Sequence, residues 1–118
     1  MAAVGIKRDI TNDSNLISGT GSAYIFKQTA GTWSQQQKIV TSDRASEDRF
    51  GYSVGISGDY VIVGAFTEDE DANGNNTLTG AGSAYIFKRT GTTWTQQQKI
   101  VAADRAEFDQ FGESIAIE

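Results

Sequence analysis

The stretch GSAYIFKQTAGTWSQQQKIV at residues 21–40 recurs, with few changes, as GSAYIFKRTGTTWTQQQKIV at residues 82–101. Extended to Gly51 and Gly112 at a constant offset of 61 positions, the two copies share 22 identities in 31 positions. A tandem repeat of this kind indicates supersecondary units that stack on one another, because one unit cannot bury its apolar surface alone. The repeat therefore determines the fold prediction.

Each repeat reads as a set of short strands. Segments rich in β-branched and aromatic residues alternate with Gly, Asp, Asn, Ser and Thr, which is typical of strands and turns. We predict four antiparallel strands per repeat, which in the second copy span residues 50–57, 60–66, 82–89 and 94–102. Short turns such as Ser57-Gly58-Asp59 predict tight hairpins between them.

Both faces of the predicted sheet are apolar. Residues 61–66 show no polar alternation, and Tyr85 and Phe87 alternate with Ala84 and Ile86 in the following strand. Because an antiparallel sheet usually keeps one face in water, this pattern favours sheets that stack face to face like blades around an axis. We predict an all-β fold of β-propeller blades, each of four antiparallel strands, with about two blades per chain. A barrel or sandwich is the alternative.

The order of the predicted strands divides the chain into three parts. Residues 1–49 form an incomplete first blade with strands two to four, and residues 50–110 form a complete second blade. Residues 111–118 are a lone first strand that completes a neighbouring blade. An excerpt from a longer propeller would have the same ends.

Two blades cannot bend into a closed ring, and the outer faces of both would remain exposed. We therefore expect the ring to close only by head-to-tail oligomerisation, as a trimer of six blades or a tetramer of eight. The predicted assembly residues lie on the last strand and on the first strand of the next copy: Phe111, Ile115 and Ile117, and Val4 and Ile6.

Composition excludes several kinds of function. The chain has no Cys and no His, so thiolate sites, the usual general base and the commonest zinc ligand are absent. Its net charge of −5, without a basic stripe, argues against a nucleic-acid partner. Apolar runs are too short for a membrane helix, and no signal peptide is indicated at the start. We expect a protein that is not an enzyme and does not insert in a membrane.

One loop, TEDEDANGNNTLTG at residues 67–80, has the composition of a calcium site. Ca²⁺ prefers oxygen ligands from alternate residues around a sharp turn. The candidate ligands are Asp69, Asp71, Asn73, Asn75 and Thr77. Gly80 stands where an EF-hand needs its bidentate Glu, so that class is excluded. The alternative is a solvated acidic loop, which the first repeat favours because Arg8 aligns there with Asp69.

Three other features occur in both repeats. Trp33 and Trp94 are predicted to pack between blades, with sugar stacking as the alternative. The glutamine triplets at 35–37 and 96–98 are interpreted as solvent-facing outer strands. The Asp-Arg-Ala sequences that begin at Asp43 and Asp104 predict turns with weak surface ion pairing.

The blocks Phe50-Gly51, Gly64-Ala65-Phe66, GSAYIF, TW and QQQKIV resemble FG-GAP repeats, the blades of integrin-α-like β-propellers and of many bacterial surface proteins. The resemblance covers nearly the whole chain and implies an extracellular or cell-surface location. Phe66 stands where the motif has Pro, and the integrin-type calcium loop is replaced by the bare turn at Gly58. Calcium is therefore not implied at that turn.

Together these observations predict a non-enzymatic repeat module that self-assembles head to tail and presents loops on one face to a protein or glycan. A calcium-dependent adhesion or lectin-like domain is the alternative, with calcium as its only cofactor. A glycosidase-like enzyme that uses two loop carboxylates, such as Glu107 and Asp109, is the third possibility.

Overall fold

The computed structural model describes residues 2–7, as backbone, together with residues 21–41, 43 and 48–118. These residues form seven strands: β1 (Ala2–Lys7), β2 (Ser22–Thr29), β3 (Thr32–Ile39), β4 (Ser53–Ser57), β5 (Tyr60–Ala65), β6 (Ser83–Thr90) and β7 (Thr93–Ile100). The all-β prediction is confirmed. Within the described ranges there is no helix long and apolar enough to cross a bilayer.

The strands form two antiparallel sheets. The first sheet has the order β1-β2-β3 and the second has the order β4-β5-β6-β7. The repeat is visible in the registers, because Tyr24 lies opposite Lys38 in the first sheet as Tyr85 lies opposite Lys99 in the second. Both sheets also carry a bulge at the same place, after Ile25 and after Ile86.

The predicted first strand of the second repeat, residues 50–57, is shorter than expected. The strand β4 begins at Ser53, because Arg49 and Gly51 have φ values of +56° and +91° and turn the chain sharply. We call residues 50–51 the first corner and the equivalent residues 111–112 the second corner. Each corner ends the connection that leaves one sheet.

Tight hairpins join β2 to β3, β4 to β5 and β6 to β7, each through two residues. The longer connections leave the opposite ends of the strands. In the second sheet, the β5–β6 loop contacts the segment after β7, where the Phe108 N–H donates to the carbonyl of Thr79 at 2.8 Å. The short and long connections thus occupy opposite rims.

The core lies between the two sheets. In the second sheet, Val61 and Val63 lie opposite Phe87 and Tyr85 and share their face. This face, with Trp94, packs in one buried cluster against Ala23, Ile25 and Ile39 of the first sheet. We call the side that carries Tyr85, Phe87 and Trp94 the leading face of a sheet, and the side that carries Ala23 and Ile25 its trailing face. Each residue's repeat equivalent lies on the same face of the other sheet.

The backbone of each corner lies against the glycine that precedes a strand. A Cβ added to Gly21 would overlap the backbone carbonyl of Phe50, and a Cβ on Gly82 would overlap that of Phe111. The φ values of +79° and +87° are also ones that favour glycine. The close approach of corner and strand is therefore possible only with glycine at these two positions.

We expect Gly21→Ala to destabilise the chain by more than Gly31→Ala does. Both residues have positive φ, so both variants incur the left-handed penalty of about 1–2 kcal/mol. Only Gly21 also meets backbone, which adds about 1–3 kcal/mol of overpacking. Urea denaturation measures both values. Equal losses would contradict the close approach, because nothing lies within 4 Å of a Cβ on Gly31.

Candidate functional site

The second corner is held on the second sheet by backbone bonds. Phe111 donates its N–H to Ala81 at 2.9 Å and forms an isolated parallel bridge with Gly82. The Ser53 hydroxyl donates to the carbonyl of Gly112 at 2.6 Å. The second corner therefore occupies the same position on the second sheet as the first corner does on the first sheet.

The chain that follows the second corner has no strand partner. After the first corner the chain continues into β4, which pairs with β5. The equivalent residues 114–118 are assigned to no strand, although the Ile117 side chain lies against Gly55 of β4. Ile115 and Ile117 are half-buried. The first strand predicted at 111–117 thus follows the surface of the second sheet without pairing.

The strand β1 carries the other predicted assembly residues. Val4 lies opposite Ile25 and Ile6 lies opposite Ala23 in the pairing with β2. In the part of the chain that the structure describes, β1 pairs with no other strand and forms one edge of its sheet. Pairing of residues 111–118 with this edge in another copy stays a prediction.

The first corner anchors an aromatic cluster. The Phe50 ring meets Tyr85 at a centroid distance of 5.4 Å and Phe87 at 6.0 Å, both edge to face. Phe50 is 3% exposed, whereas its equivalent Phe111 is half-buried. Edge-to-face pairs of this kind contribute about 0.5–1.5 kcal/mol beyond burial. The contact joins a corner of one repeat to the leading face of the next.

The tryptophans differ in the same way. Trp94 on the leading face of the second sheet is 3% exposed, and Trp33 on that of the first sheet is 42% exposed. The prediction of packing between repeats is confirmed for Trp94. Trp33 has no preceding sheet among the described residues, and this explains its exposure.

Two glutamine side chains hold Trp94. Gln37 accepts the Trp94 backbone N–H at 2.7 Å and donates to the Trp94 carbonyl at 2.8 Å. Gln36 accepts the indole N–H at 2.8 Å. We call these three bonds the amide clamp. The interpretation of the glutamines as solvent-facing is wrong for Gln36 and Gln37, since their amides satisfy polar groups that adjoin a buried ring.

A second polar contact, which we call the carboxylate latch, also joins the repeats. Asp43, in the connection that leaves the first sheet, accepts hydrogen bonds from Tyr85 at 3.1 Å and from Lys99 at 2.9 Å. Lys99 also pairs with Glu68 at 2.9 Å, and Ser83 donates to the same carboxyl group. Asp43 was predicted to make surface ion pairs, but its partner Lys99 is 4% exposed in its side chain.

The latch places one lysine between two carboxylates. Burial raises the pKa of Glu68 to about 7 from the ordinary 4.5. Burial alone would raise the pKa of Asp43 too, but hydrogen bonds and charge from Lys99 outweigh it and lower that pKa. Burial likewise opposes the charge on Lys99, while its two carboxylate partners raise its pKa. Lys99 thus remains charged, and Glu68 is the group that gains a proton near neutral pH.

The loop at 67–80 is closed by its own hydrogen bonds. One Asp71 carboxylate oxygen accepts the N–H groups of Asn73 and Asn75 at 2.9 and 3.0 Å, and the other accepts the Asn76 amide at 2.6 Å. The hydrogen bond from the Asn75 backbone contributes most to lowering the pKa of Asp71, followed by those from Asn76 and Asn73. N–H groups therefore occupy the Asp71 carboxylate, where a bound cation would need free oxygen ligands.

Two further candidate calcium ligands, Asp69 and Thr77, lie in the same loop. Asp69 accepts the Gly80 N–H at 2.8 Å, while Thr77 is exposed. Within the described residues no three acidic side chains meet in a group that could hold a metal ion. The first-repeat loop, with Arg8, lies outside the described residues. This arrangement suits a structured polar loop.

The carboxylates considered for hydrolysis do not form a pair. The Asp109 carboxylate accepts the N–H of Ala106 at 2.9 Å and shapes its own turn. Glu107 is exposed. A cleft of about 430 Å³ opens instead between the sheets on the short-hairpin rim, where Lys27, Arg89 and Trp94 contribute to its lining.

We expect Glu68→Gln to remove a pH dependence from the stability of the chain. Because the folded state raises the pKa of Glu68 to about 7, its contribution is fully present below 4.5 and is lost as the pH rises through about 7. As the pH falls from about 8 to about 5.5, the Tm of the unmodified chain should therefore rise relative to the Tm of the variant. Circular-dichroism melts measure this difference.

Glu113→Gln is the matched control, because that carboxyl group is exposed. Asp43 and Lys99 titrate outside this pH window, since their pKa values are shifted away from it. Parallel Tm profiles for the unmodified chain and Glu68→Gln would contradict the assignment.

Comparison with known proteins supports the repeat assignment. The family model for the FG-GAP repeat matches residues 33–87 and 94–118, which together make about two thirds of the chain. A search of curated proteins gave no significant match. The family match includes most of β3, all of β4 and β5, part of β6, most of β7 and the second corner. The chain therefore belongs to the FG-GAP repeat family.

Proposed function

We propose that this chain is a non-enzymatic, propeller-type repeat module that assembles head to tail with copies of itself and presents its long loops for recognition. FG-GAP repeats suggest a propeller-type module, and their family is generally non-enzymatic. In this proposal each sheet is a blade. The chain supplies one complete blade and three strands of another.

One observation carries the assembly. Phe50 is buried against Tyr85 and Phe87, but the equivalent Phe111 is half-buried, as are the equivalent rings of Tyr24 and Phe26. The two unfilled halves of this contact lie on opposite sides of the molecule. A second copy brings Phe111 of one chain to Tyr24 and Phe26 of the next in the arrangement already used inside the chain.

The unpaired ends complement each other in the same direction. Residues 111–118 follow the second sheet without a strand partner, and β1 has an unpaired edge. Joining them gives the first blade its missing first strand. Because the two contacting surfaces differ, the interface is heterologous and repeats until a ring closes. Three copies form six blades and four copies form eight.

We expect a trimer or tetramer in solution. Light scattering coupled to size exclusion at micromolar concentration measures the mass, which should be three or four times the 12.7 kDa of one chain. Truncation after Gln110 removes residues 111–118, which we call the inner strand, and should leave a monomer. A clean monomer for the full chain would contradict the assembly.

The long-loop rim is the proposed recognition surface. Its loops are held by a rigid scaffold, which is where binding residues commonly lie. Arg105, in the segment after β7, fixes the loop at 67–80 by donating to the Asp69 carbonyl at 2.7 Å and to the Asn76 carbonyl at 3.0 Å. FG-GAP repeats typically occur in extracellular proteins, so a cell-surface protein or glycan is the proposed ligand.

A calcium-dependent adhesion domain is the second candidate. The oxygen-rich loop at 67–80 favours it, because Asp69, Asp71 and Asn73 alternate before a turn. The hydrogen bonds that already occupy the Asp71 carboxylate weigh against it. A metal that binds there must replace those donors.

We expect calcium to leave the Tm of the chain unchanged. Melts in millimolar calcium and in chelator measure the effect, since a ligand that binds the folded state raises the Tm with its concentration. Asp71→Asn is the control for any shift. A calcium-dependent rise that this substitution removes would support the adhesion domain instead.

A further inference from the structure

We propose that neighbouring copies are also joined at their outer strands, by a second amide clamp and a second carboxylate latch. Trp33 of one copy lies on Gln97 and Gln98 of the preceding copy, and Asp104 of that copy reaches Tyr24 and Lys38. This inference rests on the proposed head-to-tail assembly and identifies the residues that set its register and direction.

The clamp inside the chain depends on a strand edge. Thr90 and Thr93 flank a two-residue hairpin, so they exchange hydrogen bonds. In the next pair, Arg89 and Trp94, the Trp94 N–H and carbonyl therefore point away from β6. Gln37 bonds to both groups and acts as a substitute for a neighbouring strand.

The same edge is present in the first sheet. Thr29 and Thr32 flank the equivalent hairpin, and Trp33 lies opposite Gln28 as Trp94 lies opposite Arg89. The N–H and carbonyl of Trp33 accordingly point outward from β3. Its side chain is 42% exposed. The first sheet thus presents a complete tryptophan edge to the outside.

The receiving side is present on the second sheet. Gln97 and Gln98 are the repeat equivalents of Gln36 and Gln37, and both are exposed. Gln98 lies opposite Ile86 as Gln37 lies opposite Ile25. Ile25 is 0% exposed beneath the next sheet, whereas Ile86 is only half-buried. The trailing face of the second sheet therefore lacks the cover that its equivalent has.

Three groups of the latch, Asp43, Tyr85 and Lys99, have equivalents in Asp104, Tyr24 and Lys38, while the loop equivalent to that of Glu68 lies outside the described residues. Asp43 reaches the following sheet, and its equivalent Asp104 is exposed. On the receiving side Lys38 lies over the Tyr24 ring at 5.9 Å, as Lys99 lies over Tyr85 at 5.5 Å. Tyr24 is half-buried. An aspartate that arrives from a preceding copy meets the same tyrosine and lysine that Asp43 meets.

The occupant of these surfaces is a second copy of this chain. One chain carries both halves, and the contact between its own two sheets shows that the halves fit. The glutamines and the aspartate lie on the trailing side and the tryptophan, the tyrosine and the lysine on the leading side, so the contact has one direction and cannot pair two copies face to face. This direction is the same one that joins Phe111 to Tyr24 and Phe26.

The test measures association of Trp33→Ala and Gln98→Ala by sedimentation. Interface tryptophans are frequently the residues with the largest effect, so we expect the dissociation constant to rise at least about tenfold for Trp33→Ala. Gln98→Ala should weaken association in the same direction. Tyr52→Ala, which removes another exposed aromatic side chain, is the control and should associate as the unmodified chain does.

A charge exchange tests the latch. Asp104→Lys and Lys38→Glu should each weaken association, because each places like charges across the contact. The double variant restores opposite charges and should recover most of the association, which a merely destabilised fold would not do. Far-ultraviolet circular dichroism confirms that each variant is folded.

The outcomes separate this inference from the proposed function. A monomeric unmodified chain would overturn both. A trimer or tetramer that persists in Trp33→Ala and in both charge variants would overturn the outer contact and leave the inner strand as the assembly interface. Failure of the double variant to recover association would overturn the pairing of Asp104 with Lys38.

Discussion

The structure depends on one constraint: each sheet is apolar on both faces and must be covered on both. A helix or a second sheet usually covers only one side of an antiparallel sheet, and water covers the other. Here Ile25 on one face and Tyr85 on the other become buried when the two sheets meet. The opposite faces of the same two sheets carry the same side chains. The chain therefore contains one satisfied interface, and its two outer faces carry the repeat equivalents of the residues that form it.

Polar groups within that interface specify how the sheets meet. Apolar surfaces alone tolerate several alignments, whereas the amide clamp and the latch have partners only in one. Asp43, from the connection that leaves the first sheet, and the buried Lys99 of the second sheet bear this role most strongly, because a buried charge without its partner costs far more than the pair contributes. Replacing the latch with apolar residues would keep the burial and lose the register. The glycines beneath the corners act similarly, since they permit one close approach and no other.

Strand positions were predictable from the sequence because they follow from local pattern and from the repeat. The boundary of β4 was not, because it depends on the backbone of Arg49 and Gly51. The latch was missed since Asp43 and Lys99 are 56 residues apart and neither is unusual by itself. Its only signal was that both residue types occur at the same position in each repeat, as Asp43 and Asp104 and as Lys38 and Lys99. The recurrence of a lysine directly before the apolar pair Ile-Val in both repeats was the signal that the sequence reading missed.

In the proposed assembly the same contacts differ in strength inside a chain and between chains. Inside the chain the connection from β3 to β4 holds the sheets together, so the interface forms without loss of translational freedom. Between copies that loss must be offset by burial and hydrogen bonds alone. A closed ring changes this balance, because its last contact is again intramolecular. In the proposed assembly a chain with two repeats therefore favours rings over short open chains, and every interface between copies follows the geometry of the one already built into the chain.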